Sequence, residues 1–171
     1  VCLRACGVDR LAGKTGVCGI GAKATVASAL AHHGEEPGLS GSRGAGTVFF
    51  GGCNLRCIFC QNFQISQTAQ SPEYEPEEIA AMMLRLQDEG CHNIDLVSPS
   101  HVAPQVLEAI ARAAEQGLTI PILYNSNGYD SLDMLRLFDG VADIYLPDLK
   151  YGDDSAGTWA SSVDNYVEHA H

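Results

Sequence analysis

Between Thr47 and Leu146 short apolar runs alternate with longer amphipathic ones, and this alternation constrains the fold more than any other feature of the chain. Thr47-Val48-Phe49-Phe50, Asn93-Ile94-Asp95-Leu96-Val97, Thr119 to Tyr124 and Ala142 to Leu146 have the length and β-branched or aromatic content of strands. Pro121 lacks a donor and belongs at the start of its strand. Between these runs, Pro76-Glu77-Glu78 opens a helix with Ile79, Met82, Met83 and Leu86 at helical spacing and Gly90 as its stop. Val102 to Gln116 reads as a second helix, with Val106, Leu107, Ile110 and Ala113 on one face and Gly117 just past its end; Leu132 to Phe138 reads as a third. Strand, helix, strand repeated in this way predicts right-handed crossovers and a parallel sheet, hence an α/β fold.

In such sheets and barrels the loops at the C-terminal strand ends build the active site. Four polar loops meet there: Cys53 to Asn62, Ser98 to His101, Asn125 to Gly128 and Asp148 to Lys150. The first is the richest chemically. Cys53, Cys57 and Cys60 are separated by three residues and then two, and three nearby thiolates can hold an iron–sulfur cluster while leaving one iron without a protein ligand. Cys91 precedes the second strand at its other end and reads as a core thiol, and Met82 and Met83 read as helix packing.

The rest of the sequence narrows the surroundings. With 171 residues, 46% of them hydrophobic, the chain is sized for one globular domain. A net charge of -11 and the absence of a basic stripe argue against nucleic acid or an anionic membrane surface as partner. No apolar run approaches the roughly 20 residues needed to span a bilayer, and the N-terminal residues do not resemble a secretory signal. Seven cysteines at this spacing suit a reducing cytoplasm better than a disulfide framework.

Before Thr47 the chain is rich in glycine and cysteine. Cys2, Cys6 and Cys18 lie among turn residues with little to bury, so a metal ion, a second cluster or packing onto the main domain is expected to order them; the alternative is three small buried or idle thiols. Three thiols are one short of a closed zinc site, and a fourth ligand would lie upstream of Val1. Gly13-Lys14-Thr15 lacks the glycine and the preceding strand of a phosphate loop. Ala24 to Ala31 reads as a short strand or helix, and His32-His33-Gly34-Glu35-Glu36-Pro37 as an exposed turn. Ser40 to Gly46 reads as a flexible lead into the strand at Thr47.

The run Gly46-Thr47-Val48-Phe49-Phe50-Gly51-Gly52-Cys53-Asn54-Leu55-Arg56-Cys57-Ile58-Phe59-Cys60-Gln61-Asn62 resembles the signature of radical S-adenosylmethionine (SAM) enzymes, and within them the uncharacterised homologues of pyruvate formate-lyase activating enzyme. The likeness runs from Cys2 to about Tyr166. It implies a partial (β/α) barrel of the radical SAM type over residues 47–171, behind a Cys/Gly-rich extension over 1–46; relatives have six βα units, whereas about four fit here, so the barrel reads as truncated. It implies that Cys53, Cys57 and Cys60 hold a [4Fe–4S] cluster whose open iron chelates the amino and carboxylate groups of SAM. Reductive cleavage would give a 5′-deoxyadenosyl radical that abstracts hydrogen from a protein, peptide or small molecule, with an electron donor such as flavodoxin or ferredoxin. Phe59 and Asn62 come with the motif as cofactor neighbours. Ser98, Ser100 and His101 stand where many relatives carry a Gly-Gly-Glu motif for the SAM amino group; a helix-start histidine is the plainer reading of His101. Asn125-Ser126-Asn127-Gly128 is similar to the Asp-Thr-Asn-Gly of the activating enzymes, and Asp148-Leu149-Lys150 to their Asp-Leu-Lys, with Asn125 in place of an acidic residue that helps bind a monovalent cation. Lys150 becomes a candidate contact for the SAM carboxylate, or a surface lysine. Two other classes fit the same residues: a non-catalytic zinc- or cluster-binding module, and a fragment that binds a partner through an open sheet edge.

Overall fold

The structure, a computed structural model, describes residues 2–68 and 71–170; Val1, Ala69, Gln70 and His171 lie outside the described residues. It is an α/β fold around one open, six-stranded sheet of order β3-β1-β2-β4-β5-β6. The strands are β1 Ala24–His32, β2 Ala45–Phe50, β3 Glu73–Tyr74, β4 Ile94–Val97, β5 Ile122–Ser126 and β6 Ile144–Pro147. β2, β4, β5 and β6 run parallel and form an open partial barrel wall; β1 and β3 add antiparallel pairings beyond β2. Ala24 to Ala31 is therefore a strand. Its small side chains leave the period ambiguous in sequence, and pairing along β2 decides it. This strand lies within the stretch 1–46 and is continuous with the sheet.

Three helices cover one face: α2 Pro76–Asp88, α3 Ala103–Glu115 and α4 Leu132–Leu137, with a one-turn α1 at Pro37–Ser40. Their apolar stripes (Ile79, Met83 and Leu86; Val106, Ala109 and Ala113; Met134) share a core with Val48, Phe50, Ile94, Leu96, Ile122 and Tyr124. Fully buried side chains such as Met83, Leu86 and Leu96 contribute about 1.5–3 kcal/mol each. α2 starts where its sequence says, with Pro76 in the first turn and a capping box between Glu75 and Glu78.

Because strand side chains alternate, residues between those core positions face the other way. Thr47, Asp95 and Leu123 lie side by side in register there, as do Phe49, Val97 and Asn125 one pleat further on. This concave face leads to the strand ends that carry the polar loops. After β6 the chain forms two further helices, α5 Asp154–Ser161 and α6 Tyr166–Ala170, separated where Ser162 adopts a left-handed conformation. They form a second, smaller core of Leu55, Cys57, Tyr129, Tyr151, Ala160, Val163 and Tyr166, which anchors the loop after β2. Among the described residues no helix is long and apolar enough to cross a membrane.

Candidate functional site

The loop after β2 meets two demands, turning three thiols towards one space and anchoring its backbone in the second core. Gly52 is left-handed (φ 73°), and a Cβ there would lie 2.5 Å from the Cys18 carbonyl oxygen, so glycine is required on both counts. Leu55 and Cys57 plug into the second core, while the intervening Arg56 takes a left-handed conformation (φ 62°) and donates to the Val17 carbonyl. The Ile58 N–H is bonded to the Ala160 carbonyl at 2.9 Å, tying the loop to α5.

Cys53, Cys57 and Cys60 are free thiols that line one cavity of about 520 Å³. The same cavity is lined by Phe59 and Asn62 from this loop, Ser98 beyond β4, Asn125, Ser126 and Asn127 at the end of β5, and Asp148 and Lys150 beyond β6. The ends of all four parallel strands therefore open onto it. The Cys53 sulfur accepts from the Leu55 N–H and from Asn127 Nδ2, each at 3.4 Å, and Cys60 Sγ lies 3.3 Å from Ser66 Oγ. Burial pushes the Cys53 thiol up, and the backbone donors at Leu55 and Arg56 and the Asn127 amide work against that rise. Among the described residues no three Cys, His, Asp or Glu side chains are grouped as ligands around a single metal ion.

A model of the radical SAM superfamily matches residues 47–168. The chain belongs to the radical SAM superfamily. That family implies a [4Fe–4S] cluster and SAM, and a wall of three thiols with N–H donors beside Cys53 is a donor set that fits such a cluster. The chain is also 34% identical over 144 residues to the uncharacterized protein MJ0674 of Methanocaldococcus jannaschii, an alignment covering 80% of this chain and 41% of that protein. It thus spans about two fifths of the length of this curated relative.

The other expected positions of the radical SAM site divide cleanly. Asn127 is a bridge: its Nδ2 reaches both Cys53 and Asn54 Oδ1 (2.7 Å), and its Oδ1 accepts from the Tyr129 N–H. Lys150 Nζ pairs with Asp148 Oδ2 at 2.5 Å; burial pulls the ammonium down, but the Asp148 bond and charge outweigh it and leave its pKa raised. Ser98, left-handed at the end of β4 (φ 54°), opens a short 3-10 turn over Pro99–Val102. That turn carries Ser100 and His101 away from the thiol cavity. Ser100 bonds Asp130 and Tyr124, and His101 Nε2 donates to the Gly51 carbonyl at 2.8 Å, with burial pushing its pKa down to about 4. His101 is a neutral brace behind the cluster loop.

Two carboxylates were not foreseen. Glu35, in the turn after β1 read as exposed, lines the cavity from the opposite strand ends, where its Oε2 accepts from Asn125 Nδ2 at 3.4 Å. Asp95, fully buried on the concave face, accepts from the Thr47 hydroxyl at 3.1 Å; burial first and Glu35's charge second push it up to about 7. Its signal in the sequence is an acidic residue inside an apolar strand. Tyr166 was also missed. Its hydroxyl shares its proton between the Asn127 and Asp148 carbonyls (2.8 and 2.9 Å) and accepts the Lys150 N–H (2.8 Å), joining the two loops that face the thiols.

Proposed function

We propose that this chain is a radical SAM enzyme of the activating-enzyme type, in which Cys53, Cys57 and Cys60 hold the [4Fe–4S] cluster and the neighbouring loops hold SAM. The observation that carries the reading is the convergence of the three thiols and the ends of all four parallel strands on one cavity. When bound and reduced, the cluster would supply one electron for cleavage of the SAM sulfonium into methionine and a 5′-deoxyadenosyl radical able to take a hydrogen atom from substrate.

The chain's own residues position and enclose. Asn127 fixes the Cys53 sulfur, while the side chains of Ser98, Asn125 and Ser126 offer donors and acceptors to the amino-acid end of SAM. Lys150, its charge already placed by Asp148, supplies a cation for the SAM carboxylate. Phe59, about half exposed and edge-on to Tyr151, gives an apolar flank. The substrate is a glycyl-radical enzyme, another peptide or a small molecule, and the electron comes from a flavodoxin- or ferredoxin-type donor.

Anaerobic reconstitution followed by iron and sulfide assay tests the first half of this reading. Iron is retained by the wild type and lost in Cys53→Ala, Cys57→Ala and Cys60→Ala at this site. Dithionite and SAM then test the second half, with 5′-deoxyadenosine measured by mass spectrometry. Zinc bound in place of iron at these thiols overturns the cluster, and a cluster-loaded full-length protein that releases no 5′-deoxyadenosine overturns the catalysis.

A further inference from the structure

The segment before β1 carries three thiols that the proposed SAM chemistry does not use. It has no strand or helix between Cys2 and Lys23 and is held down mainly by arginines. Arg4 donates to the carbonyls of Asn54, Leu55, Ser161 and Ser162 at 2.5–2.9 Å, and Arg10 donates to the His101 carbonyl at 2.7 Å and to Cys18 Sγ at 3.3 Å. These bonds lay the segment against the back of the cluster loop. There Cys2, Cys6 and Cys18, all free, line a second cavity of about 290 Å³ with Arg4, Arg10 and Asn54. Gly16 makes room for this arrangement, since a Cβ there would lie 2.7 Å from Cys6 Sγ.

We propose that Cys2, Cys6 and Cys18 hold a second iron–sulfur cluster, one layer of backbone behind the Cys53 loop. Three thiols from two separate turns face one space far larger than a single ion fills. Thiolate-ligated clusters are anionic, and their potential and stability respond to nearby charge and to N–H···S bonds; the two guanidiniums at this cavity, one of them already bonded to a thiol, supply both. Ligation would also cross-link a segment that buries little apolar surface. The two cavities meet at the backbone of Gly52 and Asn54: Asn54 lines the second cavity, and the Cys18 carbonyl packs on Gly52, next to Cys53. The proposal does not rest on the activating-enzyme reading.

The test uses full-length protein, reconstituted anaerobically as wild type, as the Cys53→Ala/Cys57→Ala/Cys60→Ala variant and as the Cys2→Ala/Cys6→Ala/Cys18→Ala variant. Each triple variant should keep about half of the wild-type iron and acid-labile sulfide. Wild-type iron in the second variant, or no iron in the first, overturns the N-terminal cluster; zinc without sulfide at these positions overturns it in favour of a single ion. Wild-type iron in the first variant overturns the Cys53 site instead, so the two failures are distinguishable. Alkylation of unmutated protein, mapped by mass spectrometry, gives a readout that does not depend on a variant folding. Cys6 is exposed and should label readily after chelation but be protected in the reconstituted protein; equal labelling overturns the site.

Discussion

Replacing Asp95 with asparagine should change how stability depends on pH, in a direction set by its surroundings. Asp95 is fully buried; one oxygen accepts from Thr47, and the other has no hydrogen-bond partner among the described residues. Burial, and then the Glu35 carboxylate, raise its pKa from 3.8 to about 7. Between those values the folded protein holds a proton that the unfolded chain has released, so the stability conferred by neutral Asp95 is fully present below about pH 4 and is lost as pH rises through about 7. A shift of roughly three units at ~1.4 kcal/mol each puts the loss on the order of 4 kcal/mol. Asparagine keeps an acceptor for Thr47 and has no charge to desolvate, so Asp95→Asn should hold its stability across this window and exceed the wild type above it. Urea unfolding of both proteins at matched ionic strength, at about pH 5 and about pH 8, reads the difference. His101 has the opposite sign: its pKa is depressed from 6.5 to about 4, so it costs stability as pH falls below about 6.5, but it does so equally in both proteins. If the two proteins change in parallel with pH, the assignment of a buried, proton-holding Asp95 is refuted.

Three further substitutions probe how the site is held. Gly128→Ala places a Cβ 2.4 Å from the Asp148 carbonyl oxygen at a left-handed position (φ 77°); it should cost at least about 1–2 kcal/mol in thermal unfolding and weaken SAM binding by calorimetry. Tyr166→Phe removes the hydroxyl shared by Asn127, Asp148 and Lys150 and should cost about 1–3 kcal/mol while lowering SAM affinity more than iron content. Arg4→Ala frees four carbonyls on the cluster loop and at the C-terminal end of α5; a loss of about 2 kcal/mol and faster proteolysis before β1 are expected, read by limited digestion and mass spectrometry.

The parallel wall was legible because β2, β4 and β5 carry the apolar runs that a covered parallel sheet demands. Their ends were less so. The strand read from Thr119 starts at Ile122, because Pro121 has no N–H to give the ladder, and it continues through Asn125 and Ser126, polar residues that a hydropathy reading assigns to the loop. β3 is only two residues long, too short for any periodicity, and its pairing with β1 is a tertiary fact. Ser100 and His101 follow a strand end in sequence, but the left-handed turn at Ser98 takes them behind the loop; a one-residue conformational choice of this kind leaves no pattern. Glu35 reads as a turn residue because its partner Asn125 is 90 positions away.

The cluster loop itself was recognisable from its spacing, whereas its support was not, and the reason is where that support comes from. Leu55 and Cys57 are buried against Ala160, Val163 and Tyr166, and the loop backbone is bonded to Ala160 on one side and to Arg4 on the other. Arg4 in turn spans to Ser161 and Ser162, so the segment before β1 and the end of α5 are clasped together across the loop. None of these contacts belongs to the core under α2, α3 and α4. The sulfur positions are therefore set by a small core assembled from segments about 50 to 160 residues apart in sequence, and the order of that core governs the geometry of the thiols while the larger one governs the sheet.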